Sequence, residues 1–222
     1  MIRRYRGIIG LGIAVLLAAV AATITAHPST PSAPQPTAIT ATNTQHLLDQ
    51  IADHTYQKVD VYNRVVDFGP AWQDVDGNGC NTRDDILARD LVDIVTKNGC
   101  TVLSGILHDP YTGQTIDFRR GVDTSTLVQI DHVVPLAYAW AHGAATWTAE
   151  QRLAYANDPR LLLAVDGPAN QAKGAAGPAG WMPPAPGYAC TYVSRFVTIL
   201  HTYDLTIDAA DRAAITRTLT TC

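Results

Sequence analysis

The sequence predicts a disulfide-tied α+β domain with few strands, and three observations lead there. Short apolar runs of strand length alternate with longer stretches whose apolar residues recur three and four positions apart. Links rich in Gly, Pro, Asn and Asp separate them. Four cysteines, Cys80, Cys100, Cys190 and Cys222, form an even set downstream of an apolar leader.

Residues 1–26 read as that leader. Arg3, Arg4 and Arg6 precede an uncharged run over 8–26, rich in Leu, Ile, Val and Ala. A basic start followed by such a run is the pattern of a signal peptide, with Ile24-Thr25-Ala26 as an imperfect cleavage site. The alternative is an uncleaved anchor, because 19 uncharged residues nearly reach membrane-spanning length. Either way the following domain is secreted, or extracytoplasmic and membrane-anchored. Residues 27–43 are rich in Pro, Ser and Thr and read as a linker. One domain is expected over 44–222.

Within it, 44–54 reads as a helix with Leu47, Leu48 and Ile51 on one face. Phe68-Gly-Pro-Ala-Trp72 is a breaker. A second helix is expected over 83–96, with Thr82 as N-cap, Asp85 three residues on, and a stripe of Leu87, Leu91, Ile94 and Val95. Residues 101–107 and 115–118 read as strands joined through Asp109-Pro-Tyr-Thr-Gly113. Residues 127–130 and 161–165 are further strands, and 135–142 and 148–156 are helical. Val193, Phe196, Val197 and Leu200 follow an amphipathic pattern. Asp208 is placed to cap a last helix through Leu219.

In an exported chain an even cysteine count suggests two disulfides. Three pairings are open, and the nearest neighbours, Cys80 with Cys100 and Cys190 with Cys222, are favoured. Loops of that size are worth about 3 kcal/mol on the chain-entropy model. A thiolate metal site is disfavoured, since no pair has the short C-x2-C spacing.

Sixteen basic residues stand against twenty acidic ones, and setting aside Arg3, Arg4 and Arg6 leaves 13 against 20, a formal charge of −7. That argues against tight binding of long DNA through a broad basic face. Glu150 is the one glutamate, so carboxylate chemistry falls to aspartates.

The chemistry concentrates in two stretches: Gln129-Ile-Asp131-His132-Val-Val-Pro135, and Leu162-Leu-Ala-Val-Asp166-Gly-Pro-Ala-Asn170-Gln-Ala-Lys173-Gly174. The first reads as a strand ending in adjacent Asp and His. The second reads as a strand, a Gly-Pro turn and a helix carrying Asn170 and Lys173. Phosphodiester hydrolysis needs a base for water and a cation for the charge building on oxygen. His132 can be that base. Asp131 and the Asn170 side-chain oxygen suit a hard cation, Mg2+ or Mn2+. Adjacent side chains of a strand diverge, so the strand must end or twist at His132 for both to face one site.

These stretches belong to a longer ordered set: Phe68-Gly-Pro-Ala-Trp72, Asp74-Val-Asp76-Gly-Asn-Gly-Cys80-Asn-Thr-Arg83, Asp109-Pro-Tyr-Thr-Gly113, Arg120-Gly121, Val128 to Val134, Asn157-Asp-Pro159, Leu162 to Gly167, Asn170, Lys173-Gly174 and Trp181-Met-Pro-Pro184. Over roughly 50–222 the set resembles the exported HNH-type (ββα-metal) endonucleases of actinobacteria. The resemblance implies a ββα-metal core with surrounding helices and a small antiparallel sheet. It matches His132 to the general base and Asp131 and Asn170 to metal-ligand positions. Two departures stand out. The family usually has Asn where Leu161 stands, a residue that braces the loop around the site, and it often follows Lys-Gly with Asp, where Ala175 stands here. Both point toward a weakened enzyme.

Arg120, with Arg119 behind it, is a candidate phosphate clamp, the alternative being surface solvation. Lys173, one turn after Asn170 on the same helix face, could steady substrate phosphate. Arg160 reads as solvated. Asp74, Asp76, Asn78 and Asp85 fall at positions 1, 3, 5 and 12 of a candidate Ca2+ loop; the alternative is a Gly- and Asp-rich turn capping the next helix. The expected function is a metal-dependent endonuclease acting on nucleic acid, DNA first and RNA second, as a monomer that meets a membrane only through an uncleaved leader. The competing expectation is a non-catalytic extracytoplasmic binding domain on a decayed nuclease scaffold, with calcium.

Overall fold

The computed structural model describes residues 40–222 except 56–59 and 123. The expected leader and most of the linker, 1–39, lie outside the described residues. Helix α1 (Ala41–Gln50) starts inside the stretch expected as linker, because the Thr40 side chain accepts from the Asn43 N–H and caps it. Helix α2 (Arg64–Phe68) is capped by Asn63 and stops at Gly69, whose φ of 73° suits glycine.

The helix expected over 83–96 is corrected in two ways. Helix α3 (Thr82–Asp90) is capped by Asn81, not Thr82. It ends at Asp90, and strand β1 (Leu91–Lys97) follows at once. Val92, Ile94, Val95 and Thr96 are β-branched, stiff in a helix and well suited to a pleated surface. A partner decides the matter: β1 pairs antiparallel with β2 (Thr101–His108), which pairs antiparallel with β3 (Thr115–Arg119).

The second sheet is a pair. Strand β4 (Val128–His132) runs antiparallel to β5 (Leu162–Asp166), with Asp131 opposite Leu163 and His132 opposite Leu162. Helices α4 (Leu136–Ala141) and α5 (Ala149–Asn157) fill the connection. Helix α6 (Gly167–Lys173) follows β5 directly, its first turn capped by the Asp166 side chain. Helices α7 (Ala189–Thr202) and α8 (Ala209–Leu219) close the chain.

The β4–β5 pair separates two apolar cores. Val128, Ile130, Leu162 and Ala164 join Ile86, Leu87, Val102 and Phe118. Leu163, Val165 and Ala169 join the larger core that contains Tyr155, Tyr192, Phe196 and Leu200. Alternation along each strand makes this possible, since successive residues face opposite sides. Disulfides join Cys80 to Cys100 and Cys190 to Cys222. The class is α+β, with two small antiparallel sheets. Among the described residues no helix is long and apolar enough to cross a membrane.

Candidate active site

Strand β4 carries Asp131 and His132 into the interior, where they are 5% and 8% exposed. The two side chains find different neighbours, as alternation requires. Asp131 accepts from the Tyr111 hydroxyl at 2.5 Å and from Lys173 Nζ at 2.9 and 2.8 Å. Lys173 Nζ also donates to the His132 backbone oxygen at 2.8 Å, tying α6 to the end of β4. Burial pushes the Asp131 carboxyl up and the Lys173 ammonium down, and each opposes the other's loss of charge.

The His132 ring is held by the Ala156 carbonyl, 2.8 Å from Nε2. A carbonyl only accepts, so Nε2 carries the hydrogen. Burial pushes the pKa of His132 down to about 4, so the ring is neutral near pH 7 and Nδ1 keeps its lone pair. Among the described residues nothing hydrogen-bonds Nδ1. The Trp72 ring lies nearly parallel to it, 6.3 Å between centroids.

Three supports of this geometry were not assigned from sequence. Tyr111 comes from the Asp109-Pro-Tyr-Thr-Gly113 turn, and buried Asp109 builds that turn by accepting from the Tyr111, Thr112 and Asp166 N–H groups. The motif itself was visible; its link to Asp131 is a contact distant in sequence. Gln129, two residues before Asp131 on the same strand face, accepts from Asn170 Nδ2 at 2.9 Å. The Ala156 carbonyl acts through backbone and leaves no mark in the sequence.

The candidate phosphate contacts sit differently from the expectation. Lys173 is 1% exposed and serves Asp131, so it presents no charge to a substrate as it stands. The Arg120 guanidinium pairs with Asp84 and donates to the Val102 carbonyl at 2.7 Å, bracing α3 against the first sheet. Arg119 is exposed. In the candidate calcium loop Asp74 accepts from the Gly77, Asn78 and Gly79 N–H groups, and Asn78 Nδ2 donates to Asp76 and Asp85. Leu161 is 2% exposed in the larger core.

Does this donor set suit a divalent cation? A cation already stands against the Asp131 carboxylate, namely the Lys173 ammonium. A hard ion seeks the same anionic oxygens, and Asn170 adds an amide oxygen one helical turn from Lys173. The chemistry fits, on the condition that Lys173 gives way.

Residues 81–218 match the model of the family described as GmrSD restriction endonucleases, C-terminal domain. The chain belongs to that family. The matched span holds every strand of both sheets and all of Asp131, His132, Asn170 and Lys173. A protein of Arthroderma benhamiae described as an uncharacterized secreted protein is 38% identical over 205 residues, covering 91% of this chain and 95% of its own length. That relative is fungal, so the likeness extends beyond the actinobacterial group named from the motifs. No solved structure matches. A GmrSD C-terminal domain is nuclease-related by the family's description, and the two disulfides and the secreted relative both fit an extracellular chain.

Proposed function

We propose that this chain is a secreted, metal-dependent endonuclease of the HNH type that hydrolyses phosphodiester bonds of DNA, with RNA the alternative substrate. The observation that carries the reading is His132: a neutral imidazole at the end of a strand, its Nε2–H fixed on the Ala156 carbonyl, leaving Nδ1 to take a proton from water. The order β4, β5, α6 supports a ββα-metal core around it, and the family supports nuclease chemistry.

In this mechanism the Ala156 carbonyl orients the base, and Asp131 stands next to it on the strand. Asp131 and Asn170 would hold Mg2+ or Mn2+ once Lys173 swings away. A bound ion there supplies stabilisation of the charge on the phosphate oxygens. Tyr111 keeps Asp131 oriented throughout.

A second reading, a non-catalytic binding domain, is favoured by one observation: Lys173 already neutralises Asp131 without any metal. On that reading Asp74, Asp76, Asn78 and Asp85 would hold calcium. Plasmid nicking separates the two. The endonuclease should nick with Mg2+ or Mn2+, stop in EDTA, and stop on His132→Ala. A folded chain that nicks with neither ion overturns the first reading.

A further inference from the structure

Among the described residues, one group of metal-ligating side chains converges away from Asp131 and His132. One ligand atom each from His54, His142 and Asp208 lies within 4.8 Å of the other two. Backbone hydrogen bonds fix the three segments to one another. His54 N–H donates to the Ile207 carbonyl at 2.8 Å, and Ile207 N–H to the Ala52 carbonyl at 3.1 Å. Thr206 N–H donates to the His142 carbonyl at 3.0 Å. The site is therefore held by main chain, not by the side chains that form it.

His142 is the informative member. It is 5% exposed, and its Nδ1 lies 2.8 Å from the Tyr138 carbonyl, so Nδ1 carries the hydrogen. Its ring lies flat on Tyr138, 3.7 Å between centroids. Nε2 is left buried with no hydrogen-bond partner. Asp208 Oδ2 stands 3.3 Å away, but with the ring hydrogen on Nδ1 both atoms are acceptors and neither satisfies the other. A buried, unsatisfied nitrogen is costly, so a partner is expected.

The other two members complete the pattern. The Thr206 hydroxyl donates to the His142 carbonyl at 3.2 Å and so accepts from His54 Nδ1 at 3.1 Å, which leaves the His54 Nε2 lone pair free. Two imidazoles that each commit one N–H to an oxygen, keeping the other nitrogen bare, have the orientation of metal-bound histidines. Asp208 occupies the N-cap of α8 yet makes no capping hydrogen bond with its side chain. Its half-exposed carboxylate turns toward the histidines instead.

We propose that His54, His142 and Asp208 bind one divalent transition-metal ion of the zinc class, independently of the Asp131–His132 site. Two imidazoles and a carboxylate suit Zn2+, and three protein ligands leave a fourth position for water. Bonds of about 2.0–2.1 Å in a tetrahedron place ligand atoms roughly 3.4 Å apart, close to the His142–Asp208 separation. A cavity of about 380 Å3 opens on His142 and Asp208 and gives the ion an entry path. The ion would pin the start of the domain, just after α1, to the ends of α4 and α8.

The test is zinc titration of the full chain after EDTA treatment and dialysis, by calorimetry, with melting temperature and the Co2+ absorption spectrum as further readouts. Wild type and Asn170→Ala, which removes a ligand proposed for the other site, should each bind one Zn2+ at the His54–His142–Asp208 group and gain melting temperature. His54→Gln and Asp208→Asn, both partly exposed and expected to fold, should weaken that binding on the order of a hundredfold. His142→Gln should do the same and lose the Co2+ spectrum. No zinc binding by wild type overturns the proposal, as does binding that survives both surface substitutions.

Discussion

His132 and His142 are two buried histidines built on one plan with opposite ends free. Each gives one ring N–H to a main-chain carbonyl, Ala156 for His132 and Tyr138 for His142. Each is pushed toward the neutral form by burial. Around His132 the neighbouring carboxylate is already neutralised, since Asp131 has Lys173 and Tyr111. Around His142 nothing has been neutralised: its Nε2 has no partner, and Asp208 and His54 face the same space. A bare nitrogen with no free carboxylate against it is suited to taking a proton. One beside a free carboxylate and a second imidazole is suited to taking a cation. The partners of a histidine, more than its own burial, assign its chemistry.

The largest expected effect separates the two rings by function. His132→Ala should remove nearly all plasmid nicking, a loss of about a hundredfold or more for a general base. His142→Gln, assayed with Mg2+ in excess, should leave nicking close to wild type. Equal losses in two folded variants would collapse the distinction. EDTA alone cannot make it, because a chelator empties both sites.

The next effect probes the neutralised carboxylate. Lys173→Met leaves Asp131 buried beside Tyr111 with no cation, which should cost about 3–5 kcal/mol by urea unfolding in EDTA. Excess Mg2+ should recover part of that loss if Asp131 accepts a metal once the ammonium is gone. A variant that stays weakened in Mg2+ would favour the non-catalytic reading, with Lys173 as a permanent counter-ion.

The neutral His132 ring also makes stability depend on pH. The folded-state pKa of His132, about 4, lies below its ordinary 6.5. As pH falls the unfolded chain takes the proton first, so the stability contributed by the neutral ring is complete above about pH 6.5 and is lost as pH drops toward 4. For one fully buried ring that amounts to about 3 kcal/mol. The expected result is that wild type in EDTA loses more stability across this window than His132→Gln. Parallel curves would show that the ring is not buried in its neutral form.

How far the sequence displayed this arrangement follows from the range of each interaction. Strands β2 to β5 and the stripe of α7 were legible because periodicity is local. The break between α3 and β1 was not: Leu87, Leu91, Ile94 and Val95 satisfy a helical stripe, and only pairing with β2 makes the last three strand. At the site, residue types and order point to Asp131 and His132, whereas nothing local marks Lys173 as buried, since lysines mostly lie in solvent. Its ammonium is buried because Asp131 lies across the strand–helix contact, 42 residues earlier. No local pattern marks His54 and His142, since their convergence with Asp208 depends on backbone bonds between segments far apart in the chain.

The last and smallest change concerns Leu161, where the resemblance to exported HNH-type nucleases implies an asparagine. An amide at this position was expected to brace the loop around His132, so that Leu161→Asn would speed turnover. The structure supplies the brace in another way. The Val133 N–H donates to the Leu161 carbonyl at 2.9 Å, extending the β4–β5 pairing one step past His132 by main chain alone. The Ala156 carbonyl fixes the ring itself. The Leu161 side chain is buried among apolar neighbours of the larger core. An asparagine placed there would exchange apolar contact for an amide that must find partners in the core. The cost of leaving it unsatisfied is about 1–3 kcal/mol. Leu161→Asn should therefore lower the melting temperature and leave turnover unchanged or reduced, with the Leu161→Met control near wild type in both. Faster cleavage at unchanged stability would mean that the amide reaches the loop after all, and that His132 is less firmly held than its bond to Ala156 implies.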